Sequence, residues 1–323
     1  EDWEPIDSIH IFNMLNLGLS FNLREEIAFL NLARAVGPNK AAWLFPVYPD
    51  EPLPFDKAEV ISQVRLSDLD KTVYALGDLS DRLSRLLMPL GIAASNNWAV
   101  APERTANGAS IVANDTHLPL EHPPVWMLMQ LKAPGIHLGG IALPGIPGIV
   151  AGYNGHIAWG MTMVMGDSQD LFIERIKRID GREHYAYKGE WYPVATRTET
   201  FWVKGADPVQ KTIRATRHGP LLNTALSSPS KNMAIPQEAS SDFGLALSTT
   251  LDGGAGAFDG MFELYRAESM RDARKAIGKF RMMNLNFVYG DADHIAWQVS
   301  GTYPIRKKGR GHLPSPGWTG EYD

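Results

Sequence analysis

Ser95 stands in the segment Ala93-Ala94-Ser95-Asn96-Asn97-Trp98-Ala99-Val100-Ala101, where the pattern of the chain changes from helical to strand-like. A hydroxyl is a poor nucleophile without a base beside it. Taken alone, a serine between a spacer and a strand has a structural role by default. If the Ala94–Ser95 bond is cut, however, the new α-amino group titrates at about 7.7–8.0 and can accept the hydroxyl proton near neutrality, so one residue supplies nucleophile and base. Downstream lie Asn114-Asp115-Thr116-His117-Leu118, an amide at Asn286, and the acidic pair Asp167 and Asp170. Other chemistries find no support. There is no Gly-x-Ser-x-Gly elbow, no His-Glu-x-x-His helix and no phosphate-binding Gly-x-x-x-x-Gly-Lys loop. His122, His137 and His218 lack metal-ligand spacing, and Gly254-Ala255-Gly256 with Gly260 reads as a turn.

These residues need a scaffold, and the pattern supplies one. Ile6 to Leu19 is apolar at helical spacings, and Arg24 to Val36 is a second periodic run closed by Gly37. Pro46, Pro49, Pro52 and Pro54 exclude regular structure, after which Leu76, Leu79, Leu83, Leu86 and Leu87 form the stripe of a further helix. Asn97 to Ala101 and Ala109 to Ala113 read as strands joined by a loop ending in Asn107-Gly108. Gly139-Gly140 and Pro144-Gly145-Ile146-Pro147-Gly148 argue for tight turns between buried strands. His184 to Tyr192 and Thr198 to Val203 read as strands, Met261 to Met282 as helix, and Asn286 to Tyr303 as a hairpin. The expected class is α+β, antiparallel sheets flanked by helices.

Composition excludes several alternatives. With 44% hydrophobic and 21% charged residues the chain is ordinary globular material, and a net charge of −5 gives no hint of nucleic acid, the one dense basic run, Arg306-Lys307-Lys308 with Arg310, being short. Cysteine is absent, which removes thiolate nucleophiles, thiolate metal sites and disulfides. No apolar run approaches the length of a membrane span.

The block Ser95-Asn96-Asn97-Trp98-Ala99-Val100 with Asn114-Asp115-Thr116-His117-Leu118 resembles the start of the β-chain in penicillin, cephalosporin and acyl-homoserine lactone acylases, which are N-terminal nucleophile hydrolases. The resemblance continues through Pro144-Gly145-Ile146-Pro147-Gly148, Gly152-Tyr153-Asn154, Ile157 to Thr162, Asp167 to Leu171, Asn286 to Asp291 and Gly301 to Arg306. Upstream, Trp3 to Asp7 and the helix around Glu25 resemble the end of the family's α-chain. It implies a four-layer αββα sandwich. It also implies that residues 1–94 are the end of an α-chain with a helical spacer, residues 95–323 the N-terminal part of the catalytic β-chain, and the whole a fragment of a longer precursor. The two processed chains would form a heterodimer in the periplasm or outside the cell.

The same resemblance assigns roles. Ser95 would attack an amide carbonyl, and Asn286 would donate its side-chain amide to the oxyanion with the backbone N–H of Val164, or one residue earlier of Met163. His117 would bond to Ser95 or its amine. Arg306 would stand at the site mouth and orient a substrate carboxylate or Asn286. Leu118, Trp126, Met161 and Met163 would line an apolar acyl pocket. Asp167, Asp170 and the carbonyl of Gln169 would bind calcium with Glu26, or in a shifted alignment Glu25, as a ligand from the upstream helix. Ala94 departs from the Gly that commonly precedes the nucleophile, which bears on the efficiency of cleavage. The substrate would be a β-lactam side chain, an acyl-homoserine lactone or a peptide-like amide. The competing readings are a catalytically inactive binding protein with this fold and a serine hydrolase with an internal Ser-His-Asp triad.

Overall fold

The protein is described by a computed structural model covering residues 2–20, 22–37, 40–41, 94–118, 122, 124–222, 242–250, 258–281 and 283–323. The leucine stripe from Leu76, the prolines from 46 to 54 and the Gly254-Gly256 turn lie outside the described residues. The chain divides into two compact units, one drawn from residues 1–20, 83–168 and 250–303, the other from 21–82, 169–249 and 304–323. These units concern what packs with what, whereas the division expected at residue 95 concerns where a bond is cut.

In the first unit a six-stranded antiparallel sheet runs β15-β14-β6-β5-β4-β3. Its strands are β3 (Met127–Ala133), β4 (Ile136–Ala142), β5 (Ala151–Tyr153), β6 (Ala158–Met163), β14 (Leu285–Gly290) and β15 (Ile295–Val299). Odd-numbered residues of β6 and β14, among them Trp159, Leu285, Phe287 and Tyr289, point to one face because side chains alternate along a strand. There they meet Phe12 of α1 (Pro5–Leu19), Met261 and Leu264 of α3 (Asp259–Leu264), and Ala276 and Ile277 of α4 (Met270–Ile277). Each large apolar side chain buried this way contributes about 1.5–3 kcal/mol. Helix α1 starts where expected because Pro5 fits the first turn and the Glu4 N–H donates to Asp7 Oδ2 at 2.8 Å. The helix expected over Met261 to Met282 is two short ones instead. Ser269 takes an extended backbone conformation and its Oγ accepts from the Asp272 N–H at 3.2 Å, a cap that begins a new helix.

The opposite face of this sheet carries the hairpin of β1 (Ala94–Val100) and β2 (Ile111–His117). Its connecting loop closes as expected: Gly108 has φ +69°, and Asn107 Oδ1 accepts from the Ala109 N–H at 3.2 Å.

In the second unit, β7 (Gln169–Ile179) is covered on both faces. Leu171 and Ile173 pack against Leu23, Phe29 and Leu30 of α2 (Leu23–Val36), while Phe172 and Ile176 pack with Tyr185, Leu221 and Ala246. Strand β7 pairs with β13 (Phe243–Thr249) and β8 (Arg182–Tyr187), and β9 (Glu190–Pro193) follows β8. The stretch His184 to Tyr192, expected as a strand, is thus a hairpin. Lys188 and Gly189 have φ of +50° and +85°, the two-residue turn whose twist suits antiparallel strands. A separate ladder joins β10 (Ala195–Phe201), β11 (Val209–Thr216) and β12 (Gly219–Pro220), and β16 (Ser315–Pro316) runs parallel to β7. His218 is buried here, its ring stacked on Phe172 with Nδ1 2.7 Å from Glu174 Oε1. The observed class is α+β with mostly antiparallel sheets, as expected.

Candidate active site

Ser95 and Asn286 are far apart in sequence, and the hairpin brings their strands together. Ser95, Asn97 and Ala99 alternate onto the more shielded face of β1, and their partners across the ladder, Thr116, Asn114 and Val112, share it. Two asparagines clasp this face to the sheet. Asn97 Nδ2 donates to the Asn286 carbonyl at 3.1 Å and the Gly160 carbonyl at 3.3 Å. Asn114 Oδ1 accepts from the Met161 N–H at 3.1 Å, and its Nδ2 donates to the Met161 carbonyl at 3.0 Å. Gly160 makes the approach feasible, since a Cβ there would lie 2.8 Å from Asn114 Cβ.

The direction of the hairpin follows from these contacts. At its loop end Ser110 Oγ donates to the Asp291 carbonyl and the Ser110 N–H donates to Ala292. In its middle Asn97 and Asn114 meet Gly160, Met161 and Asn286. One more pair along, Ser95 and Thr116 run toward the end of β6 and the start of β14, where Thr162, Met163 and Asn286 lie. Asp291, in the β14–β15 turn, anchors the far end. Burial opposes its charge, but bonds from the backbone N–H groups of Asp293 and His294 and from the His294 ring outweigh this and hold the carboxyl below its usual range.

Asn286 pairs with Thr162 across β14 and β6. Its Nδ2 donates to Thr162 Oγ1 at 3.4 Å, and its Oδ1 accepts from the Trp297 indole N–H at 3.2 Å. The backbone donor expected at Val164 is corrected by the ladder. The Val164 N–H donates to the Asn284 carbonyl at 3.0 Å and is spent within the sheet. Because N–H groups alternate between the two edges of an antiparallel strand, the Met163 N–H points to the edge away from β14, the same edge at which the Met161 N–H meets Asn114. Met163 is therefore the residue whose amide can face the hairpin.

Other expected residues fall elsewhere. His117 pairs with Ala94, so alternation sends its side chain to the face opposite Ser95, where Nε2 lies 2.8 Å from Asp115 Oδ2. Trp126, Met161 and Met163 all pack against the apolar core of the first unit, whereas Leu118 is partly buried outside that cluster. Arg306 Nε donates to both Asp170 oxygens, at 3.1 and 2.9 Å, in a largely buried ion pair within the second unit.

That pair bears on calcium. Of the expected ligands, Asp170 is occupied by a guanidinium, and buried Glu26 accepts from the Leu171 N–H at 3.3 Å while Glu25 is exposed. Among the described residues no group of three acidic or histidine side chains could hold a metal ion. No helix of the described residues is long and apolar enough to cross a membrane.

The sequence motifs contained Asn97, Asn114 and Gly160 but gave them no role, and Trp297 was not singled out. The signal that finds them is the repeated pairing of small or amide side chains with backbone groups of β6 and β14, which exists only once the hairpin is docked.

The fold is that of the N-terminal nucleophile hydrolases. Thermostable penicillin G acylase from Alcaligenes faecalis superposes with a TM-score of 0.59 at 20% identity, covering 71% of this chain and 39% of that one. The penicillin amidase family model matches residues 1–323, and the chain belongs to that family. It is 48% identical over 323 residues to acyl-homoserine lactone acylase QuiP of Pseudomonas aeruginosa, covering all of this chain and 38% of that protein. The corresponding figures for penicillin acylase 2 proenzyme of Pseudomonas sp. strain SE83 are 30% over 338 residues, all of this chain and 40% of that one. The chain thus spans roughly two fifths of the length of these relatives.

Proposed function

We propose that this chain is the nucleophile-bearing portion of an amidohydrolase that deacylates N-acyl-homoserine lactones or close analogues, with Ser95 freed as a chain terminus. The observation that carries this reading is the clasp of Asn97 onto the Asn286 carbonyl, which ties the serine strand to the strand of the amide donor. In the reaction, Ser95 Oγ attacks the acyl carbonyl carbon and its proton passes to the Ser95 α-amine. Asn286 Nδ2 and the Met163 N–H hold the oxyanion. Collapse breaks the C–N bond, the departing amine takes the proton, and water, deprotonated by the same α-amine, resolves the ester. Donors of this kind are each worth about 10²–10³ in turnover.

The homoserine lactone class is favoured by the higher identity to proteins named for it than to penicillin acylases. Cleavage before Ser95 into a heterodimer, and a periplasmic or secreted location, belong to the same reading and rest on the family. A β-lactam side-chain acylase is the second reading, supported by the similarity to penicillin acylase 2 proenzyme.

The test uses the full-length precursor. Intact mass should reveal a fragment beginning at Ser95, and Ser95→Ala should stay uncut and inactive. Parallel hydrolysis of a long-chain acyl-homoserine lactone, a phenylacetyl amide and a glutaryl amide should favour the lactone. An uncut chain that still hydrolyses these amides would refute the mechanism.

A further inference from the structure

We propose that Trp297 is a positioning residue that sets which end of the Asn286 amide faces the reacting carbonyl. This deepens the reading of Ser95 and Asn286 above and rests on it. The two ends of a side-chain amide are nearly the same size but opposite in chemistry, so a half-turn replaces the donor an oxyanion needs by an oxygen that repels it. Something must break that symmetry.

Thr162 cannot. Its hydroxyl stands 3.4 Å from Asn286 Nδ2, but a hydroxyl both donates and accepts and would suit either end of the amide. The Asn97 contact holds the Asn286 main-chain carbonyl and leaves the side chain free to turn. An indole N–H only donates, so Trp297 Nε1, 3.2 Å from Asn286 Oδ1, binds the oxygen end and no other. The register makes this reach possible. Trp297 lies opposite Val288, and Asn286 lies opposite Val299, so the two are diagonal neighbours on one face of the β14–β15 ladder. The ring itself is 67% exposed, so its packing against this unit is slight while its one polar atom is committed to Asn286.

The experiment uses the processed full-length enzyme and compares wild type, Trp297→Phe, Asn286→Ala and the double variant. Trp297→Phe removes the N–H and keeps a ring. Losing one neutral hydrogen bond to the donor should lower kcat about fivefold and leave KM unchanged. An alkylboronic acid, which adds to the serine oxygen as a tetrahedral mimic of the oxyanion, should bind more weakly by the same factor. Inhibition by the product carboxylic acid should be unchanged, which separates orientation from general loss of structure. The double variant should be no slower than Asn286→Ala. Where Phe disturbs folding, 3-benzothienylalanine at position 297 replaces the N–H by sulfur in a ring of the same shape. Unchanged kcat and boronate affinity in an enzyme crippled by Asn286→Ala would overturn the proposal, whereas an Asn286→Ala enzyme of full activity would overturn the underlying reading.

Discussion

Gly160→Ala isolates the docking of the hairpin. The added methyl would stand 2.8 Å from Asn114 Cβ and 3.1 Å from its Cγ. Carbon atoms pack best at about 3.5–4.0 Å, so the gap must open by roughly 1 Å. Asn114 Cβ is fixed to the β2 backbone, so the side chain cannot swing away and the hairpin itself must lift. The bonds from Asn114 to Met161 at 3.0 and 3.1 Å and from Asn97 to Gly160 at 3.3 Å would then lengthen past useful geometry. Overpacking of this kind costs about 1–3 kcal/mol, a modest share of the stability of a protein this size. The effect on chemistry should be larger, because a displacement of about 1 Å at a reacting group can cost ~10²-fold in rate. The assay pairs the rate at which the Ser95 fragment appears by mass spectrometry with kcat of the matured fraction, alongside thermal unfolding. Gly160→Ala should slow either maturation or turnover by about two orders of magnitude. A variant that matures and turns over as wild type does would show that the clasp does not position the serine.

Three further outcomes follow from particular contacts. Arg306→Ala, which takes the guanidinium from buried Asp170, should cost about 3–5 kcal/mol by denaturant titration, and an unchanged unfolding midpoint would show that the pair contributes nothing. Replacing His218 by Leu removes the ring nitrogen that faces buried Glu174 Oε1 and should destabilise by about 1–3 kcal/mol, read the same way. Asp291 has its carboxyl held low in the folded state, so its contribution is complete above the usual carboxylate pKa of about 3.9 and is lost as pH falls through the lower folded value. The difference in stability between wild type and Asp291→Asn should therefore be constant near neutrality and shrink below about pH 4, and a difference that stays constant into acid would contradict the assigned bonds.

Local signals were sufficient for much of the scaffold. The change of period at Ser95, the Asn107-Gly108 turn, the end of α2 at Gly37 and the β14–β15 hairpin all follow from residues within a few positions of one another. The candidate nucleophile and the amide at Asn286 come instead from the resemblance to the acylases, since a serine at such a junction has by itself a structural role by default. What the sequence could not supply is which face and which edge each residue presents to a distant partner. The ladder partner of Val164, the turning of His117 to the face opposite Ser95, the capture of Asp170 by Arg306 and the clasp of Asn97 on Asn286 are all settled by long-range pairing. The physical reason is the two-residue period of a strand: moving the register by one residue exchanges both the face of every side chain and the edge of every N–H, while the local pattern of the chain stays the same.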